Sequence, residues 1–298
     1  MLAGLTTAPS AGAAEPVTHV YVAPDGGAAG DGTRGNPFGS LARANAHLTA
    51  LAPDTAVQVH LQPGEYLEVG TRWTYHSTHP TTIGADGGIA TFNGQDDFAD
   101  YMVKIIPTTA RADMNLTVRN LRFTHATNGL QVKGATDVTL DDLRFDHIGT
   151  AFSPVGTGYA ALSIQNVDGV VVNRPVFRNL VNVPEQLALV HAIYAANDAD
   201  NVTVTDVDIL RVSGDPLRFR NGSDSFHVLG GTIRNAGEFT AFSEWFDQTR
   251  NEARSRDARL VGVSVSGGFD SELQTGRTAC FQRFTLVPVD PCYITDLP

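Results

Sequence analysis

Four stretches of the chain fall into one frame: Gly129-Leu130-Gln131-Val132-Lys133-Gly134, Ala161-Leu162-Ser163-Ile164-Gln165-Asn166, Ala192-Ile193-Tyr194-Ala195-Ala196-Asn197 and Pro216-Leu217-Arg218-Phe219-Arg220-Asn221. Each alternates outward and inward positions before a turn residue, the mark of a half-buried strand. A second series, at Asn115-Leu116-Thr117-Val118, Asp137-Val138-Thr139-Leu140, Gly169-Val170-Val171-Val172, Asn201-Val202-Thr203-Val204 and Ser225-Phe226-His227-Val228, recurs with starts 22, 32, 32 and 24 residues apart. A period of roughly 20 to 50 residues signals a solenoid, propeller or array. Units of two or three short strands with no helix between them select an all-β fold, a single-stranded right-handed parallel β-helix. Its corner loops absorb the uneven spacing.

The ends of such a stack need closing, because an open solenoid presents unpaired edges and apolar surface to other chains. Val17 to Val22 reads as a strand, and a glycine-rich loop, Asp25 to Gly32, follows it. The one good helical stretch is Leu41 to Leu51, with Leu41, Ala44, Leu48 and Leu51 on one face and Ser40 placed to cap it. An N-terminal cap over about 17–55 is expected. Asp247 to Arg259 breaks the strand pattern with alternating charges, as a solvated loop or a short helix. The pattern fades after Gly267, so about 267–298 forms the closing segment.

Cys280 and Cys292 are the only cysteines and lie in that segment; in an exported protein they pair as a disulfide, in the cytosol they stay free thiols. Residues 1–14 are small and apolar, with Ala11-Gly12-Ala13 in the pattern of a signal-peptide tail whose charged start is missing. Either these residues are the tail of a signal whose start codon lies further upstream, which makes the protein secreted, or they are a disordered leader; in both cases 15–298 is one β-helix domain. A net charge of −11 argues against a nucleic-acid footprint across the whole surface, and no apolar run reaches the length of a membrane span. A capped solenoid has no obligatory partner surface, which predicts a monomer.

Tyr21-Val22-Ala23-Pro24-Asp25-Gly26, Asp31-Gly32-Thr33, Asn36-Pro37-Phe38, the helix, and then Val59-His60-Leu61-Gln62-Pro63-Gly64-Glu65-Tyr66 form an ordered set. Together with Pro80-Thr81-Thr82-Ile83-Gly84-Ala85-Asp86-Gly87, the set resembles pectate-lyase-like secreted β-helix proteins. That group includes polysaccharide lyases of the chondroitinase B and alginate lyase type. The resemblance implies the fold; it leaves activity open, since this architecture hosts lyases, hydrolases, epimerases, esterases and binders.

Aligning the repeats puts Gln131, Ser163, Tyr194 and Arg218 in one outward column and Lys133, Gln165, Ala196 and Arg220 in a second, with Lys104 joining the first. Coils stack about 4.8 Å apart, so the first column spans roughly 20 Å, groove-sized for several units of a polymer. Lys104, Lys133, Arg218 and Arg220 on one strip of an acidic protein suit an acidic polysaccharide, since the arginine fork binds two carboxylate or sulfate oxygens at once. Taken singly, each is also what a solvated sheet face ordinarily carries. Cleavage of a uronic-acid glycan by β-elimination needs carboxylate neutralisation, a base and an acid. Arg218 and Arg220 fit the first role, and Tyr194, His191 or Lys133 the proton transfers; a phenol titrates near 10 and neighbouring cations favour its ionised form. His191 also reads as a corner histidine bonded to backbone.

Lys104, Gln131, Ser163, Gln165, Glu244 and Trp245 are the expected substrate contacts, with Trp245 stacking on a sugar or else joining Phe242 and Phe246 as an interior plug. The resemblance implies calcium as an alternative means of neutralisation, since some lyases of that group use it; Asp96, Asp97 and Asp100 form the densest acidic group that would ligate it, without an EF-hand pattern. A glycoside hydrolase is the weaker enzymatic alternative, because the columns hold no paired carboxylates. A non-catalytic glycan-binding surface protein is the other class. Asn166, Asn197 and Asn221 share one turn position, where asparagine tolerates the left-handed conformation and amides can bond along the axis. The N-x-S/T matches at Asn115, Asn201 and Asn221 follow from that repeat chemistry rather than from glycosylation.

Overall fold

The computed structural model describes residues 16–67, 69–282 and 285–298, so the leader proposed for 1–14 lies outside the described residues. The chain winds as a parallel β-helix with three faces. On the first face lie Val17–Val22, Ala56–Leu61, Thr81–Ala85, Ala112–Arg119, Ala135–Asp141 and Asp168–Asn173; on the second, Gly64–Tyr66, Ala90–Asn93, Leu121–Ala126, Arg144–Ile148 and Val176–Leu180. The 13-residue strand Asp200–Val212 crosses from the first face to the second, which makes the two a single sheet of 15 strands among the described residues. Among the described residues the third face is a separate sheet of eight strands: Thr71–Trp73, Tyr101–Ile105, Asn128–Lys133, Ala160–Gln165, His191–Ala196, Leu217–Arg220, Phe242–Phe246 and Thr278–Gln282. Strands within it pair in parallel with the next coil.

Inward residues stack like on like. Tyr66, Phe92, Phe123, Phe145 and Phe177 form a continuous ring ladder along the axis, with neighbouring centroids 5.0 to 5.5 Å apart. Such offset stacks add to the area that each ring buries. Turn chemistry agrees with the repeats: Gly134, Asn166, Asn197 and Asn221 all have positive φ, at 66°, 48°, 57° and 54°. The Asn221 side-chain amide donates to Asn197 Oδ1 at 2.9 Å, one rung of an amide ladder, while Asn166 Oδ1 instead accepts from Arg111 Nε at 3.1 Å.

The helix Leu41–Leu51 covers the N-terminal end, with Ser40 Oγ accepting from Arg43 N at 3.2 Å and Leu41, Ala44 and Leu48 buried. Leu51 departs from the expected face and is 53 % exposed, because the chain turns left-handed at Ala52 and lifts the last turn off the core. Asp247 to Arg259 resolves into a single 3-10 turn, Gln248–Arg250, followed by loop and the start of the strand Ala258–Ser266.

At the far end Cys280 and Cys292 form a disulfide with Cα atoms 5.3 Å apart, tying the third sheet's last strand to the segment before Ile294–Leu297. The cross-link closes a short loop, so the Cys280→Ser/Cys292→Ser variant loses about 2–3 kcal/mol at this end. Hydrogen exchange in residues 285–298 should rise on reduction, and unchanged protection there would refute it.

Candidate functional site

Period-two alternation turns one side chain in two of the third sheet outward. The first outward column runs Arg72, Lys104, Gln131, Ser163, Tyr194, Arg218 and Ser243, and the second Lys133, Gln165, Ala196, Arg220 and Trp245. The register matches the alignment of the repeats. Loops that precede each strand then decide which of these groups reaches solvent.

Tyr194 stands half-buried in the middle of the face. Beneath it His191 is 3 % exposed, its ring stacked on Tyr194 at a centroid distance of 5.5 Å. Nδ1 of His191 lies 2.7 Å from the Asp215 carbonyl, which assigns Nδ1 as the donor and leaves the lone pair on Nε2. Burial, with the Arg218 charge adding to it, holds this imidazole well below the usual histidine range. The ring is therefore uncharged at neutral pH and can accept a proton only from a group that approaches within the fold.

The linkage has a definite sign. The unfolded chain protonates His191 near 6.5, the folded protein does not, so stability is full above that value and falls as pH drops below it, by at most about 1.4 kcal/mol per pH unit. Denaturant midpoints measured from pH 7.5 to 5 should show this slope, and His191→Phe should flatten it. An equal slope in the variant would assign the effect elsewhere.

Arg218 is sealed more deeply than a solvated column predicts, at 8 % exposure. Its Nη2 donates to Asp215 Oδ2 at 3.1 Å, and its guanidinium carbon lies 4.3 Å from the Trp245 ring centroid. Asp215, fully buried, is the hub: Oδ1 accepts from Phe239 N at 2.9 Å and Thr240 N at 3.1 Å. Arg220 makes a bidentate pair with Glu252, both contacts at 2.7 Å. Glu252 first, then Tyr194, raise the Arg220 pKa against the cost of burial.

Other expected contacts sit differently. Lys104 pairs with Asp100. Ser163 is fully buried, accepting from Gln165 Nε2 at 3.0 Å and bonded to the Tyr101 hydroxyl, whose pKa burial pushes up to about 12. Glu244 is a correction: alternation turns it inward, where Arg254 Nη2 donates to it at 2.7 Å and Ser255 N at 2.7 Å, so it does not reach the face. Trp245 does lie on the face, but its ring already carries Arg218 and, at 4.9 Å, Phe281. Phe242 and Phe246 fill the interior as a plug. Asp96, Asp97 and Asp100 are corrected as a calcium set: among the described residues no group of three or more His, Cys, Asp or Glu side chains is arranged to hold a metal ion. Asp100 is instead engaged by Lys104 and by the Tyr101 amide at 2.8 Å.

Lys133 and Gln131 remain available, and Lys133 has no ion-pair partner among the described residues. The sequence reading missed Asp215, Glu238 and Tyr159. Asp215 could have been found from its spacing of three to Arg218. Tyr159, 51 % exposed, and Glu238 come from loops that no periodicity describes.

No protein-family model matches the chain, and no curated protein matches it in sequence. Solved structures do resemble it. The pectate lyase Pel9A shares 15 % identity at a TM-score of 0.52, over 92 % of this chain and 78 % of that one. PfbA, a surface adhesin of Streptococcus pneumoniae, shares 11 % at 0.47 over 76 % and 72 %. An alginate lyase from Paenibacillus sp. shares 12 % at 0.38 over 94 % and 99 %. The likeness to Pel9A establishes a pectate-lyase-like β-helix fold, and identity this low carries nothing about activity.

Proposed function

We propose that the protein is an exported polysaccharide lyase that cleaves a uronic-acid glycan by β-elimination. The observation that carries this reading is Tyr194, a half-exposed phenol in mid-face, flanked by the Arg218 and Arg220 guanidinium groups and stacked on an uncharged imidazole. Arg220 and Lys133 meet the uronate carboxylate, with the Arg218 charge acting from beneath. A base then takes the proton from C5, the C4–O bond breaks with its electron pair on the leaving oxygen, and that oxygen takes up a proton. The product carries a C4=C5 double bond. On this reading Tyr194 exchanges protons at the surface, with the uncharged His191 ring stacked beneath it. A solved pectate lyase with this fold and a disulfide suited to an oxidising compartment support the reading.

One observation favours the non-catalytic alternative: Lys104, Arg218 and Arg220 each already hold a carboxylate, which lowers the field that a polyanion would meet. A hydrolase is less well supported, since Asp215, Glu244 and Glu252 on and under this sheet all have arginine partners. Incubation with pectate, alginate, glucuronan and glycosaminoglycans separates these readings. Growth of the ultraviolet absorbance of an unsaturated product on at least one of them is expected. Binding without that absorbance across the panel would replace the lyase with the binder.

A further inference from the structure

Beside the Asp215–Arg218 pair, where the loop 267–275 folds against the connections into the third sheet, lies a cavity of about 280 Å³. Leu187, Ser213, Glu238, Phe269, Asp270 and Gln274 line it, and no lysine or arginine does. Its size suits one sugar ring rather than a length of polymer. Glu238 is the telling side chain, because its Oε2 is buried with no hydrogen-bond partner, the kind of orphan that costs free energy unless a ligand or water satisfies it. Burial, reinforced by the Asp215 charge and opposed by that of Arg218, raises the Glu238 pKa. Phe269, held from one side by the Arg211 guanidinium at 5.1 Å, offers an apolar surface of the sort that packs on the C–H face of a pyranose.

We propose that this cavity is a subsite for an uncharged, hydroxyl-rich sugar unit, next to the unit that Tyr194 engages. Asp270 and Gln274 accept and donate to sugar hydroxyls, and a turn of the Glu238 carboxyl brings its unpartnered oxygen to the floor. A uronate entering here would meet the Glu238 and Asp270 carboxyl groups in the lining, while the nearest guanidinium groups are turned to other partners, Arg218 to Asp215 and Arg211 to Phe269, so the subsite disfavours the charge that the centre of the face attracts. The adjacency rests on the reading of the third sheet as a glycan-binding face; the subsite itself does not need the lyase chemistry.

The test is saturation-transfer NMR on the whole protein with xylotriose, mannotriose, galactotriose and trigalacturonate as probes. At least one neutral trisaccharide should bind, and Gln274→Ala or Glu238→Ala should weaken it at least about fivefold, the worth of one hydrogen bond. A trigalacturonate signal that depends on Gln274, or no Gln274-dependent signal from any neutral probe, would overturn the assignment. Gln274 is exposed in a loop, so its loss does not threaten folding. A lyase assay run alongside keeps the two ideas apart: neutral-sugar binding without unsaturated product removes the catalysis and leaves the subsite.

Discussion

Replacing Tyr194 with phenylalanine should cut release of unsaturated product from a cleaved polyuronate by about 100-fold or more, the usual scale for a lost general acid–base group. The substitution keeps the ring, its stack on His191 and its place between Ser163 and Arg218 in the sheet, and removes only the hydroxyl. Stability should therefore stay within about 1 kcal/mol of the parent, while kcat falls and KM changes little. A variant that retained full activity would remove Tyr194 from the chemistry, whatever the reaction proved to be. His191→Asn should also lower kcat, and its pH profile should lose the acid limb if the buried imidazole relays the proton.

The largest stability effect should come from Asp215→Ala. That change strands the Arg218 charge at 8 % exposure and leaves the Phe239 and Thr240 amides without their acceptor. Breaking a buried ion pair from one side costs about 3–5 kcal/mol. Glu252→Ala, which frees the more exposed Arg220, should cost no more than about 1 kcal/mol. Urea unfolding followed by circular dichroism ranks the two. Equal losses, or an Asp215→Ala loss under about 1 kcal/mol, would contradict the hub role given to Asp215.

The fold was legible because its signal is repetitive. Alternation sets the direction of each side chain and pairing sets neighbours, so the line from Lys104 to Arg218 follows from sequence alone. Cover is another matter. His191, Ser163 and Arg218 are outward or edge positions by register, yet they are buried, by large neighbours on the same face such as Tyr194 and Trp245 and by Asp215 from the connection before its strand. Pairing of charges was equally hidden: Glu252 meets Arg220 across 32 residues, through a loop whose path only the coil geometry sets. Glu244 is the instructive miss, because Phe242-Ser243-Glu244-Trp245 read in the same alternating frame turns it inward.

Each coil of this molecule touches only the coils above and below it. The rungs that bear Tyr194 and Arg218 stand three and two strands from the disulfide-clamped terminus and far from the helical lid. Fraying that starts at the clamp thus reaches the rungs of the candidate site while most of the stack is still intact. On heating under reducing conditions, function should be lost several degrees before the bulk melts, making this protein's durability a local property of its last few turns.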